Sequence, residues 1–250
     1  MREVILQKLE EIEETEGVSI LHAVESGSRA WGFPSPDSDY DVRFFYVRPL
    51  EHYLRLDRTR DVIERPIDAV LDINGWDLIK TLRLLHGSNP TLFEWSQSPI
   101  VYTTTELFQS FLPTIWAYFA AKPGLWHYLS MAEGNYREYL KGGLVKAKKY
   151  FYVLRPLLAC RWILERGTPP PMRFAELVET QLEPELRPVV EDLLRVKMDT
   201  PEIGLVPRID ALNAFIESNL PALRARVEAL PPAPQKDWEP LNQMFLSALQ

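Results

Sequence analysis

The stretch Glu25-Ser-Gly-Ser-Arg-Ala-Trp-Gly-Phe-Pro-Ser-Pro-Asp-Ser-Asp-Tyr-Asp41 decides what fold and chemistry to expect of this chain. It begins with a Gly27-Ser28 turn, in which glycine allows positive φ and a close approach of backbone N–H groups to an anion. The Ser28 hydroxyl adds a donor, and a following helix N-terminus would add partial positive charge. We therefore predict that Gly27 and Ser28 bind phosphate. Arg29 is a further candidate for this role, and the alternative for Arg29 is an ion pair with Glu25.

The stretch ends with two aspartates, Asp39 and Asp41, which predict a metal site. They lead into Val42-Arg-Phe-Phe-Tyr-Val47, a predicted strand rich in β-branched and aromatic residues. Residues i and i+2 of a strand project from the same face, about 6–7 Å apart. Two carboxylates this close repel one another unless a cation lies between them, and Mg²⁺ fits oxygen ligands, with Mn²⁺ as a substitute. The alternative is that Asp39 and Asp41 belong to a polar turn with a solvated face. Arg43 continues the i, i+2 alternation of Asp39 and Asp41 and would project from the same face of the strand.

The composition predicts a globular protein without a membrane anchor. Of the 250 residues, 46% are hydrophobic and 25% are charged, which is ordinary for a globular chain, and no apolar run is long enough to span a bilayer. The N-terminus reads as an acidic amphipathic helix rather than a signal peptide, so we expect a cytoplasmic protein. The single Cys160 excludes a disulfide framework within the chain. The net charge of −7 argues against non-specific binding to duplex DNA.

The order of predicted elements indicates an α+β fold, with a small mixed sheet and flanking helices followed by a C-terminal α-helical domain. Residues 1–104 would form the first domain and residues 105–250 the second, which would close a cleft over the ligand. Periodicity predicts helices over 3–15 and 76–86 and strands over 19–24 and 42–47. It also predicts an extended region over 61–73, with a break at Pro66 as an alternative, that Asn74-Gly75 would end. Further helices are predicted over 106–121, 125–140, 144–166, 174–182, 185–196 and 207–229.

The motif Gly27-Ser-x-x-x-Gly32, followed by Ser38-Asp-Tyr-Asp41, resembles the signature of the DNA polymerase β-type nucleotidyltransferase superfamily. The fuller string Gly-Ser-Arg-Ala-Trp-Gly-Phe is similar to a bacterial predicted nucleotidyltransferase family with RNA-repair members that are encoded beside RNA ligases. The likeness extends to Gly75-Trp-Asp-Leu, Gly87-Ser-Asn-Pro-Thr-Leu-Phe-Glu-Trp95 and Lys148-Lys-Tyr-Phe-Tyr-Val-Leu-Arg-Pro156. It implies a polymerase β-like catalytic domain that transfers a nucleoside monophosphate from an NTP to an acceptor hydroxyl and releases pyrophosphate.

The same resemblance implies a third acidic residue on a later strand. The segment Ile67-Asp-Ala-Val-Leu-Asp-Ile73 offers Asp68 and Asp72. If this strand runs antiparallel to the strand that begins at Asp41, its end lies beside the start of that strand. We therefore predict Asp72 as the third catalytic and metal-binding carboxylate beside Asp39. The alternative is that Asp72 only begins the following turn.

A basic stripe in the C-terminal half provides candidate nucleotide contacts. Lys148, Tyr152 and Arg155 lie at i, i+4 and i+7 of a predicted helix, with Lys149 adjacent. Cations there could bind phosphate oxygens, and Tyr152 could stack on a base or ribose. We predict that Lys149, Tyr152 and Arg155 bind nucleotide. The alternative is a solvated charged face.

The sequence leaves the acceptor open between an RNA 3′ end, a protein side chain and a small molecule. A second class of function is a nucleotide-binding regulatory or antitoxin-like protein that keeps the fold without turnover. The presence of all three candidate carboxylates argues against this second class.

Overall fold

The computed structural model describes residues 1–57, 59–65, 70–199 and 205–250. Residues 66–69 of the predicted extended region, and with them the candidate Asp68, lie outside the described residues. The chain divides into two compact units. The first comprises Met1–Ala30, Asp39–Phe119 and Gln235–Gln250, and the second comprises Trp31–Ser38 and Ala120–Pro234. These units group residues 105–119 and 235–250 with the first part of the chain, whereas the division after residue 104 groups them with the helical part.

The first unit is built around a mixed sheet with strand order β3-β4-β2-β1-β5 in the described part of the chain. This arrangement, together with the largely helical second unit, confirms the predicted α+β fold class. The elements of this unit are α1 (Arg2–Glu16), β1 (Ser19–Glu25), α2 (Gly27–Trp31, with Trp31 counted in the second unit), β2 (Tyr40–Val47), α3 (Leu50–Tyr53), β3 (Val62–Glu64), β4 (Leu71–Asp77), α4 (Leu78–His86), α5 (Pro90–Ser96), β5 (Val101–Thr104), α6 (Glu106–Ala117) and α12 (Glu239–Ser247).

Helices cover both faces of this sheet because the strand side chains alternate between two apolar clusters. On one face, α1 places Ile5 and Ile12 against a cluster that includes Phe44. On the other face, Phe45 packs in a cluster with residues of α4, α5, α6 and α12, among them Leu82. Full burial of one such side chain contributes about 1.5–3 kcal/mol. Because these strand side chains are buried in the two clusters, they are not available to a functional site.

The pairing of β4 corrects one prediction. The strand that carries Asp72 runs parallel to β2, not antiparallel, and Asp72 is the direct Cα partner of Asp41. The reversal of direction lies within the predicted extended region, since β3 pairs antiparallel with β4. Within the predicted extended region, Val62–Glu64 and Leu71–Ile73 therefore belong to two different strands.

The predicted stop at Asn74-Gly75 is also wrong, because β4 continues through both residues to Asp77. Gly75 is needed for packing: a Cβ at this position would lie 2.2 Å from the Phe44 ring. Asp77 ends the strand and caps α4, since its Oδ1 accepts a hydrogen bond from Ile79 N at 2.8 Å.

The second unit is mainly helical. Its elements are α7 (Ala121–Tyr139), β6 (Leu144–Lys146), α8 (Lys148–Arg166), α9 (Phe174–Gln181), a 3₁₀ turn (Pro184–Leu186), α10 (Arg187–Asp199), β7 (Leu205–Pro207) and α11 (Asp210–Ala229). The prediction that a helix begins at Leu144 is wrong, because Leu144–Lys146 pairs antiparallel with β7. Within the described ranges, none of the helices has the length and apolar character that a membrane span requires.

Candidate functional site

The Gly27 turn is in contact with Asp41. β1 ends at Glu25, and Gly27 adopts a left-handed φ of 59°. Ser26 N donates a hydrogen bond to Asp41 O at 2.8 Å, and a Cβ on Gly27 would lie 2.0 Å from Asp41 Oδ2. Only glycine satisfies both the backbone conformation and the space. The two halves of the motif, ten and more residues apart in sequence, therefore meet at the end of the sheet.

Asp41 and Asp72 lie beside one another because their strands pair in parallel register. Each side chain is partly exposed, at 29% and 31%. Asp39 precedes β2 by one residue, and its side chain is exposed. Burial raises the pKa of Asp41, and the charges of Asp72 and Asp39 act in the same direction. The register thus places two of the three predicted carboxylates together, with the third adjacent in sequence.

Arg43 joins these two carboxylates. Its Nη2 donates to Asp41 Oδ1 at 2.9 Å and to Asp72 Oδ2 at 2.6 Å, and its Nη1 donates to Asp72 O at 2.7 Å. The Arg43 side chain is 16% exposed. A guanidinium that serves two carboxylates offsets the repulsion between them and lowers the pKa of Asp41 against the effect of burial. The alternation Asp39, Asp41, Arg43 indicated this side of the strand, but the sequence does not reveal that Arg43 bridges to Asp72.

Glu25, which the sequence suggested only as an ion-pair partner of Arg29, is a buried carboxylate that holds the start of β2. Glu25 is fully buried; its Oε1 accepts from Asp41 N at 2.7 Å, and its Oε2 accepts from the Tyr102 hydroxyl. Burial raises the pKa of Glu25. The sequence signal for a buried carboxylate is the position of Glu25 directly after the mainly apolar segment Leu21–Val24. A carboxylate that is buried in this way requires specific hydrogen-bond donors.

Arg29 and Ser28 lie on the short helix α2. Arg29 Nε donates to Asp39 O at 3.0 Å, and its guanidinium carbon lies 3.7 Å from the centroid of the Tyr40 ring. Arg29 thus contacts the backbone of the aspartate motif. Ser28 is partly buried in the same helix.

The remaining candidates belong to the second unit, where Tyr152 and Arg155 contact Trp31 and Lys149 lies beside Tyr152. Tyr152 is 37% exposed and makes an edge contact with the Trp31 ring at 5.8 Å between centroids. Lys149 Nζ lies 5.1 Å from the Tyr152 ring and 3.7 Å from the Tyr139 ring, and burial lowers the pKa of Lys149. Arg155 is only 3% exposed, lies 4.6 Å from the Trp31 ring and contacts Met172 Sδ at 3.6 Å. Trp31, which belongs to the Gly27–Asp41 motif, therefore contacts two of the three predicted nucleotide-binding residues, Tyr152 and Arg155.

The carboxylate pair formed by Asp41 and Asp72 is the candidate metal site of this chain. Among the residues that the structure describes, no three His, Cys, Asp or Glu side chains form a group able to hold a metal ion. Asp41 and Asp72 form a pair of carboxylates with oxygen donors of the type that hard divalent cations take. At present the pair shares the Arg43 guanidinium.

Comparisons with known proteins assign the family. A crystal structure of a nucleotidyltransferase-like protein from Exiguobacterium sibiricum 255-15 aligns over 90% of this chain and 75% of its own, with 15% identity and a TM-score of 0.31. The uncharacterized protein YcgL of Bacillus subtilis (strain 168) is 46% identical over 255 residues, covering all of this chain and 97% of that protein. The model of the RNA repair pathway DNA polymerase beta family matches residues 1–247. This match confirms the resemblance noted in the motif, and the chain belongs to the RNA repair pathway DNA polymerase beta family.

Proposed function

We propose that this protein is a Mg²⁺-dependent nucleotidyltransferase that transfers a nucleoside monophosphate from an NTP to an acceptor hydroxyl. The observation that carries the proposal is the in-register pairing of Asp41 with Asp72 directly beside Gly27. A turn predicted to bind phosphate, in contact with one member of a carboxylate pair, would supply the two parts that metal-assisted phosphoryl chemistry requires. Membership of the family supports the same class of reaction.

Asp41 and Asp72 would hold the metal, with Asp39, one residue before β2, as a further candidate ligand, since carboxylate oxygens are the donors that Mg²⁺ or Mn²⁺ prefers. The bound metal would supply stabilisation of charge on the attacking and leaving oxygens. The Gly27 and Ser28 amide groups and the Ser28 hydroxyl would bind the triphosphate, with Arg29 beside them.

In the reaction, the acceptor oxygen forms a bond to the α-phosphorus while the bond from that phosphorus to the β-bridging oxygen breaks. Pyrophosphate leaves with the electron pair, and the acceptor proton passes to the Asp72 carboxylate. Lys149 and Tyr152 stay predicted nucleotide contacts, Lys149 through phosphate and Tyr152 through the base or ribose. Arg155, which is buried against Trp31, would act through the position of that ring. The family description favours an RNA end over a protein or small molecule as acceptor.

The test begins with calorimetric titration of ATP, GTP, CTP and UTP in the presence of Mg²⁺. The same titrations are made with Asp41→Asn, Asp72→Asn and a control, Asp57→Asn, whose exposed side chain pairs with Arg55. We expect one nucleotide to bind the wild type and the control but not the two site variants. That nucleotide is then offered with RNA carrying a 3′-hydroxyl or a 3′-phosphate, and pyrophosphate release is measured. Equal binding by all four proteins would refute the proposed site, and binding without any pyrophosphate release would favour the regulatory alternative.

A further inference from the structure

We propose that Arg43 is a built-in counter-cation that competes with the divalent metal for Asp41 and Asp72. This inference rests on the proposed function, because it concerns the same carboxylates. It adds a property that the proposed function does not require: in the absence of nucleotide, the protein's own guanidinium weakens metal binding.

The geometry identifies the competition. One nitrogen of Arg43, Nη2, donates to Oδ1 of Asp41 and to Oδ2 of Asp72. The other oxygen of Asp41, Oδ2, lies against the Gly27 backbone, where a Cβ would come within 2.0 Å. Nη2 therefore occupies one oxygen of each carboxylate on the side where the two face one another. A cation that takes these same two oxygens competes with Nη2 for them.

Charge makes simultaneous occupation unfavourable. Oxygen ligands lie about 2.0–2.6 Å from a bound Mg²⁺ or Ca²⁺, so a guanidinium that kept these hydrogen bonds would stand within a few ångströms of a divalent charge. The Arg43 side chain is 16% exposed, so water screens this repulsion only in part. With Asp39 included, the three proposed carboxylates and Arg43 carry a net charge of −2, against −3 without Arg43, so Arg43 weakens the attraction of the site for a divalent ion.

A triphosphate changes this balance, because it brings negative charge that both the metal and the displaced guanidinium can share. Linkage then requires that nucleotide increase the affinity for metal, and metal the affinity for nucleotide, by the same factor. Arg43 would thus couple metal loading to nucleotide loading. Its neutral variant would bind metal more readily alone and gain less from nucleotide.

The experiment measures Mn²⁺ binding by electron paramagnetic resonance of the free ion, with the full chain and without nucleotide. Wild type is compared with Arg43→Gln, with Asp41→Asn, and with Arg55→Gln as a matched control at an exposed arginine outside the site. Removal of one positive charge beside a divalent ion predicts that Arg43→Gln binds Mn²⁺ about tenfold tighter or more. Arg55→Gln should match wild type, and Asp41→Asn should lose the binding.

Whether Arg43→Gln binds Mn²⁺ more tightly or less tightly than wild type shows whether Arg43 competes with the metal or holds the carboxylates in place for it. If Arg43 merely holds the carboxylates in place, Arg43→Gln will bind Mn²⁺ no better than wild type, or worse. That result, with binding still lost in Asp41→Asn, overturns the inference and leaves the proposed function standing. Absence of Mn²⁺ binding in every variant, with nucleotide as well as without, overturns both. If Arg43→Gln fails to fold, Arg43→Lys is used instead, because lysine keeps the charge but lacks the planar guanidinium donors. Arg43→Lys should bind Mn²⁺ more tightly than wild type, by less than the roughly tenfold increase expected for Arg43→Gln.

Discussion

Gly27→Ala tests the contact between the turn and the carboxylate pair most directly. An alanine Cβ would lie 2.0 Å from Asp41 Oδ2 and 2.9 Å from Asp41 Cγ. Gly17→Ala is a matched control, since Gly17 has φ 61° against 59° for Gly27, yet no atom lies within 4 Å of its Cβ position. Both variants incur the left-handed backbone cost of about 1–2 kcal/mol. Only Gly27→Ala must also move a carboxylate.

The forced movement of the Asp41 carboxylate in Gly27→Ala affects stability and activity to different extents. Asp41 is partly exposed and can rotate away from the new methyl group, so the additional loss of stability is at most about 1–3 kcal/mol. For a chain of this size, each kcal/mol corresponds to about 2–4 °C in melting temperature. The rotation moves Oδ2 by more than an ångström, and a displacement of that size costs about 100-fold in rate. We expect Gly27→Ala to lose metal-dependent nucleotide transfer far more than stability.

Thermal unfolding and pyrophosphate release, measured on wild type, Gly27→Ala and Gly17→Ala, provide the assay. The expected pattern is a melting temperature for Gly27→Ala that lies at most about 2–12 °C below that of Gly17→Ala, and a large loss of activity only in Gly27→Ala. The reasoning is refuted if Gly27→Ala retains wild-type activity, or if Gly17→Ala loses activity to the same extent. If no protein of the set releases pyrophosphate, Mn²⁺ binding replaces activity as the readout of the Asp41 position.

Three further predictions concern buried groups. Burial raises the pKa of Glu25 above its ordinary 4.5, so the folded state holds the proton more tightly and stability falls as pH rises from 4.5 through the raised value. Glu25→Gln should flatten this part of the dependence in urea unfolding at about pH 5 and pH 7; an unchanged slope would contradict it. Burial lowers the pKa of His22 to about 4, so its ring should stay neutral well below its ordinary 6.5 in an NMR titration, and stability should fall as pH drops through that range. Titration of His22 near 6.5 would show that the ring is accessible. Gly75→Ala should destabilise by about 1–3 kcal/mol through its clash with the Phe44 ring. Gly134→Ala, within α7 and with no atom near its Cβ position, should stabilise by about 0.5–1 kcal/mol, and equal effects of the two would argue against the packing of β4.

The sequence alone predicted those features that depend on local periodicity and short spacing. The helix over 3–15 and the strand over 42–47 follow from side-chain patterns that a single element must satisfy, and both elements are present. The Gly27 turn and Asp41 could be associated because the motif leaves room for one short connection between two strands. Each of these features can be judged from a short window of residues.

Features that depend on the partner of a strand could not be predicted in this way. Alternation in the segment that ends at Ile73 identifies the face on which Asp72 lies, but it carries no information on strand direction. An antiparallel strand that ends at Asp72 and a parallel strand that begins there both place this residue beside Asp41. The prediction of Asp72 was therefore insensitive to an error in direction. The role of Arg43, in contrast, depends on how the strands pair. Its bridge to Asp72 exists only because the register aligns Asp41 with Asp72, so that one guanidinium reaches both carboxylates. The proposed competition between Arg43 and metal is thus a consequence of register, and register is the level of structure that the sequence pattern leaves undetermined.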